Sequence, residues 1–167
     1  AAAEKPVVAL ADGLMASAAY WIGCAAQAVY MASTITMVGS IGVVVAHQDV
    51  SGAEAARGVR TTEITAGKYK RIASAYAPLT DEGRQDLQGM VDTLYSIFVG
   101  DVAKARGVSA DTVLARMADG RTFIGQEAID AGLADGFISL PDLITKLNAE
   151  RAAGATATRN APRATTN

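Results

Sequence analysis

The chain has 167 residues, half of them hydrophobic, and a formal net charge of −2 with acidic and basic residues interspersed. That is enough chain to bury one sizeable core and too little for two independent domains; without a basic stripe to meet nucleic acid, protein is the expected class of partner. A single cysteine, Cys24, and a single histidine, His47, exclude an internal disulfide framework and, without carboxylates gathered from elsewhere, a zinc site, so neither metal nor cofactor is expected.

Residues 1–5, Ala1-Ala2-Ala3-Glu4-Lys5, are too short and polar for a signal peptide and read as a linker outside the domain. The apolar run 7–10 stops at Ala11-Asp12-Gly13, as a buried strand ending in a turn does. Residues 16–26 are alanine-rich with Tyr20 and Trp21 as bulky anchors, which predicts a helix able to sit close to a sheet. Residues 29–31 and 42–46 read as strands, the β-branched Val43-Val44-Val45 as a fully buried one, with the turn Val38-Gly39-Ser40-Ile41-Gly42 between them. Residues 13–48 carry no formal charge, but serines, threonines and glycines interrupt the stretch, so a packed α/β core is expected there and no membrane segment.

A short helix over 51–57 closes at Gly58, and 59–65 alternates as a strand leading into Ala66-Gly67-Lys68-Tyr69-Lys70. The clearest helix follows Thr80, an N-cap with Asp81 and Glu82 in its first turn; Leu87, Met90, Val91, Leu94, Phe98 and Val102 form its apolar face and Gly107 ends it. Ser109 caps a helix carrying Leu114 and Met117, and 125–133 provides another. The folded domain is expected over 6–148, and 149–167, which holds no large apolar residue, as a solvated tail.

Ser17 falls where a strand turns into an alanine-rich helix, a geometry that can expose a hydroxyl and direct helix amides at a developing oxyanion. The same position also suits a cap or a packing residue. A serine nucleophile needs a base, and two are available. His47, with Asp49 nearby, allows a serine, histidine and aspartate arrangement, or is a histidine hydrogen-bonded for structure. Lys70 is the other; it works only when neutral, through desolvation or the nearby cations Lys68 and Arg71, and is otherwise a solvated charge.

Met15-Ala16-Ser17-Ala18-Ala19-Tyr20-Trp21 resembles the nucleophile segment of the signal peptide peptidase family of serine-lysine peptidases, Val38-Gly39-Ser40-Ile41-Gly42-Val43 its glycine-serine turn, and Ala66-Gly67-Lys68-Tyr69-Lys70 its lysine segment. The later run Asp119-Gly120-Arg121-Thr122-Phe123-Ile124-Gly125 through Ala134-Asp135 matches a further segment, all in the family's order. The resemblance, covering roughly residues 5–140, implies a crotonase/Clp-like α/β domain with a mostly parallel sheet flanked by helices. It also implies Ser17 as nucleophile, Lys70 as general base, Ser40 as the hydroxyl holding the lysine amine, and the Ala18 amide as an oxyanion donor. Lys68 and His47 are the second choices for the base.

Ala18-Ala19 and the segment from Ala46 to Ala53 are more similar to the head-maturation peptidases of tailed phages, which implies capsid and scaffold proteins as substrates. The corresponding setting is the prohead interior or the cytoplasm of a bacterial host. Relatives assemble as rings, so a homo-oligomer is expected. The family's domain begins with units before the nucleophile strand, including a glycine-rich loop with the remaining oxyanion donor; the chain reads as the C-terminal larger part of such a domain. The alternatives are a Clp-type peptidase using Ser17 and His47, and a non-catalytic ring-forming assembly module.

Overall fold

The computed structural model describes residues 5–160. The chain lays its first four strands alternately on two three-stranded sheets, adds the fifth to the second sheet and returns to the first for the sixth. Strand β1 (Val8–Ala11) crosses through Asp12 and Gly13 into β2 (Leu14–Ala16), which runs directly into helix α1 (Ala18–Gly23). The next pass repeats the move, with β3 (Ala28–Met31) parallel to β1 and β4 (Met37–Gly39) parallel to β2.

After an exposed excursion holding helix α2 (Ser51–Ala56), the long helix α3 (Asp81–Arg106) and α4 (Ala110–Arg116) return the chain to β5 (Thr122–Ile124), antiparallel to β4. Helix α5 (Gln126–Ala131) then leads to β6 (Gly136–Phe137), parallel to β3, and to α6 (Leu140–Asn160). The result is a mixed α/β domain, one sheet parallel and one mixed, flanked by helices. No helix among the described residues is long and apolar enough to cross a membrane.

Local chemistry accounts for the long helix. The Thr80 side chain accepts from the Gly83 amide at 3.0 Å, and Gly107 closes the other end at φ 67°, the left-handed C-terminal position that favours glycine. Its expected apolar face divides in two. Phe98, Val99 and Val102 are buried in the core, whereas Met90 and Leu94 are exposed and Leu87 and Val91 are half covered.

Tyr20 is fully buried, its hydroxyl donating to the Leu133 carbonyl at 2.9 Å. Trp21 stacks on Phe98 with ring centroids 4.4 Å apart and donates its indole N–H to Asp101 at 2.8 Å, which fastens α1 against α3.

Two predicted strands do not form. Residues 42–46 are irregular, because Gly39 at φ 108° and Ser40 at φ 54° turn the chain out of the sheet at the end of β4; Val44 is left 89% exposed. Residues 59–65 are also irregular, with Ile64 96% exposed and no sheet partner. The first helix is shorter than the expected 16–26, and α6 continues past Ala149 into the expected tail. Residues 1–4 of the expected linker and 161–167 of that tail lie outside the described residues.

Arg106, at the end of α3, donates to both carboxylate oxygens of Asp135 at 3.1 and 2.7 Å and to the Gly132 carbonyl at 2.8 Å, while the Val29 amide donates to Asp135 at 2.7 Å. Burial works against ionisation of Asp135, but the Arg106 and Val29 hydrogen bonds outweigh it and hold the carboxyl below the usual carboxylate range. A folded value below the unfolded one, near 4, means the contribution is complete above the unfolded value and is lost as pH falls through the folded one. Removing its three hydrogen bonds in Asp135→Ala is expected to lower stability by about 1–2 kcal/mol at neutral pH, the carboxylate being 37% exposed and so partly screened. In denaturant titrations from pH 7 to pH 3 the deficit should shrink with acid; a deficit that stays constant would refute the coupling.

Candidate active site

No loop residue separates β2 from α1, so the turn is made at Ser17 itself, with φ 53° and ψ −127°. Gly125 joins β5 to α5 in the same way, at φ 53° and ψ −125°. One tight strand-to-helix turn is thus used twice, once with the residue best suited to it and once with a serine, which costs roughly 1–3 kcal/mol of strain. The Ser17 amide donates to the Gly39 carbonyl at 2.8 Å. Its side chain is exposed and has no hydrogen-bond partner among the described residues. Ala18 opens α1, and no side chain caps that end, so first-turn amides remain available as donors.

Ser17, Ser40 and Asp119 are the non-glycine residues at positive φ among those described, and all line one cavity of about 660 Å³. Its base is where three chain segments meet. The Ser40 amide donates to the Arg121 carbonyl at 2.6 Å and the Gly120 amide to the Ile41 carbonyl at 3.0 Å, so the turn after β4 and the turn before β5 brace each other beside the β2–α1 turn. Helix α3 supplies the wall with Val91, Leu94, Tyr95 and Phe98, and Trp21 the α1 side. Backbone strain at three residues around one mostly apolar cavity, with an unpartnered hydroxyl on it, makes this the candidate site.

Ser17, Ala18 and Ser40 are brought together here; the three candidate bases are not. Lys70 lies in the turn region 67–73, where its amide donates to the Gly67 carbonyl at 3.1 Å. Its side chain is exposed, has no partner among the described residues and does not line the Ser17 cavity. Lys68 sits 2.5 Å from a Glu82 carboxylate oxygen, and that hydrogen bond raises its pKa, the reverse of what a base needs. Arg71 is tied to Glu63, which also accepts from the Ser74 hydroxyl.

His47 donates from Nε2 to the Ser74 carbonyl at 2.8 Å, since a carbonyl can only accept. It lines a second cavity of about 540 Å³ that shares Val43, Val44 and Val91 with the first. Asp49 accepts from the Ser51 amide at 2.9 Å, at the start of α2. Ser17, His47 and Asp49 are therefore not assembled into a triad, and the histidine fastens its own loop.

The sequence reading missed Asp119 and Tyr95. The Tyr95 hydroxyl donates to the Asp119 carboxylate at 3.3 Å, and both line the Ser17 cavity. The available signal was the Asp119-Gly120 pair, a turn dipeptide whose first residue tolerates a left-handed conformation.

The sequence matches the family model described as "Peptidase family S49" over residues 1–154. It is 38% identical over 146 residues to MJ0651 of Methanocaldococcus jannaschii, covering 87% of this chain and 46% of that protein. It is 38% identical over 141 residues to "Capsid assembly protease C" of Escherichia phage lambda, covering 84% of this chain and 31% of the relative. "Head-tail preconnector protein GP5" of Enterobacteria phage P21 is 36% identical over 142 residues, 85% of this chain and 28% of the relative. The chain thus spans between about a quarter and a half of the length of these relatives. With a family model covering nearly the whole sequence and relatives of this similarity, the chain belongs to peptidase family S49.

Proposed function

We propose that this domain carries the nucleophile of a serine endopeptidase on a crotonase/Clp-like fold, with Ser17 as nucleophile, Lys70 as general base, Ser40 holding the lysine amine and the Ala18 amide donating to the oxyanion. The observation that carries the reading is Ser17 itself: a serine held where a glycine would fit, its hydroxyl unpartnered at an apolar cavity.

In the reaction Ser17 Oγ attacks the scissile carbonyl carbon and its proton passes to the neutral amine of Lys70. The carbonyl oxygen becomes the oxyanion facing the Ala18 amide. Collapse breaks the C–N bond, the lysine ammonium protonates the departing amine, and water hydrolyses the acyl ester on Ser17. A lysine is neutral at physiological pH only when desolvated or set beside another cation, whereas Lys70 is solvated here. The reading therefore needs the 67–73 turn to close on the cavity, or the Lys70 of a second copy to enter it; an unpaired, exposed lysine is free to do either. The name of the phage lambda relative, a capsid assembly protease, supports substrates among capsid proteins; the same proposal takes in scaffold proteins, cleavage in the prohead interior or the host cytoplasm, and a homo-oligomer as the acting form.

Intact-mass measurement after incubation with a fluorophosphonate tests the dyad. Ser17 is expected to gain one adduct, faster at high protein concentration if the lysine comes from a second copy, and Lys70→Ala is expected to slow it by at least ~10²-fold. An adduct rate unchanged in Lys70→Ala rejects the lysine; no adduct on Ser17 at any concentration favours the assembly-module reading.

A further inference from the structure

The cavity at Ser17 holds a charge that the hydrolytic scheme does not use. Asp119 takes a left-handed conformation, φ 65°, at the cavity, in direct sequence with Gly120 at φ 71°. Its carboxylate has one hydrogen bond among the described residues, from the Tyr95 hydroxyl at 3.3 Å, which leaves most of its acceptor capacity open. The nearest cation in sequence, Arg121, lies over the Phe123 ring with its guanidinium carbon 5.1 Å from the centroid, and no ion pair to Asp119 is formed among the described residues. Among the described residues no lysine, arginine or histidine lines the cavity; its other carboxylate, Asp92, accepts from Gln88 at 2.7 Å.

We infer that Asp119 is a specificity-determining residue: its carboxylate, steadied by Tyr95, receives the cationic head of a lysine or arginine side chain of the peptide lying in the Ser17 cavity. The inference rests on the proposed reading of that cavity as the substrate site. The chemistry of the walls matches such an occupant in both its parts. A lysine or arginine has a methylene stem that packs on apolar surface and a charged head that seeks a carboxylate or water. Trp21, Val91, Leu94 and Phe98 offer the first, and Asp119 offers the second. An acidic substrate residue would meet Asp92 and Asp119 with no neutralising cation among the lining residues, which discriminates by repulsion as well as attraction. Tyr95 is a positioning residue in this scheme, acting through the carboxylate it holds.

Trp21 is the single tryptophan of the chain and lines the cavity, so its emission reports occupancy without any turnover. The test titrates the Ser17→Ala chain with acetyl-Ala-Ala-Lys-Ala-Ala-amide and with the same peptide carrying norleucine, which keeps the stem and removes the charge. The lysine peptide is expected to bind about fivefold more tightly at low salt. That ratio should fall to about one in Asp119→Asn, a substitution that suits a left-handed position, and to an intermediate value in Tyr95→Phe. Equal or tighter binding of the norleucine peptide, a ratio unchanged in both variants, or no saturable change with the lysine peptide overturns the inference. Because the measurement reads binding alone, its failure is separate from failure of Ser17 to react with a fluorophosphonate.

Discussion

Replacing Ser17 with glycine is expected to abolish acylation by a fluorophosphonate and, at the same time, to raise the thermal midpoint of the domain. The two effects have one origin. Position 17 takes φ 53° and ψ −127°, and the protein builds the matching turn at position 125 with glycine at φ 53° and ψ −125°. Strain of this kind costs about 1–3 kcal/mol. Glycine removes it but gives back about 0.4–1 kcal/mol through the greater freedom of the unfolded chain, leaving a net gain of about 1 kcal/mol. For a chain of this length that is about 2–4 °C. Ser17→Ala supplies the control, since it removes the hydroxyl and keeps the Cβ that causes the strain. Both variants should lose at least ~10³-fold in acylation rate, but only the glycine variant should gain stability. Equal midpoints for the two would show that the serine is unstrained, and persistent labelling would place the nucleophile elsewhere.

What the sequence revealed and what it hid divide along physical lines. A strand-to-helix change near Ser17 was legible in outline, because an apolar run stops at Ala11-Asp12-Gly13 and an alanine-rich stretch follows, but the helix was expected from residue 16 and the turn at 17 itself, made at the end of β2, was not. The long helix was legible from its caps, Thr80 and Gly107, and its apolar spacing. Strands β2, β5 and β6, of three, three and two residues, are too short for an alternation to register. Val43-Val44-Val45 carries strand propensity, but that propensity records a fit to a half-buried pleated surface, and here the run lines cavities beside α3 instead.

The local chemistry of each candidate base could be weighed from its neighbours, yet none of that reasoning could place Lys70 relative to Ser17. They are separated by an excursion whose position depends on pairings such as Glu63 with Arg71 and Lys68 with Glu82. Asp119 was hidden for a related reason: a carboxylate in a turn looks like a solvated charge until the chain folds Tyr95 onto it.

The second turn makes the opposite prediction from the first. Gly125→Ala is expected to destabilise the domain by about 3–5 kcal/mol, combining a forced left-handed conformation with overpacking. A Cβ on Gly125 would lie 2.2 Å from the carbonyl oxygen of Thr34 and 3.2 Å from its carbonyl carbon, both backbone atoms that no rotamer change can move aside. The Gly125 amide also donates to the Thr36 carbonyl at 3.1 Å, so the elbow is nested on the segment that enters β4. A loss of this size is a large part of the stability of an ordinary domain, and the urea midpoint should record it. Gly100→Ala, in the exposed middle of α3 with nothing near its Cβ position, should shift the midpoint the other way by about 0.5–1 kcal/mol. Similar midpoints for the two alanine variants would mean that the elbow yields without resistance. Where Gly125→Ala remains folded, Ser17 should also label more slowly, because β4 carries Ser40 into the cavity and the clash acts on the segment leading to it.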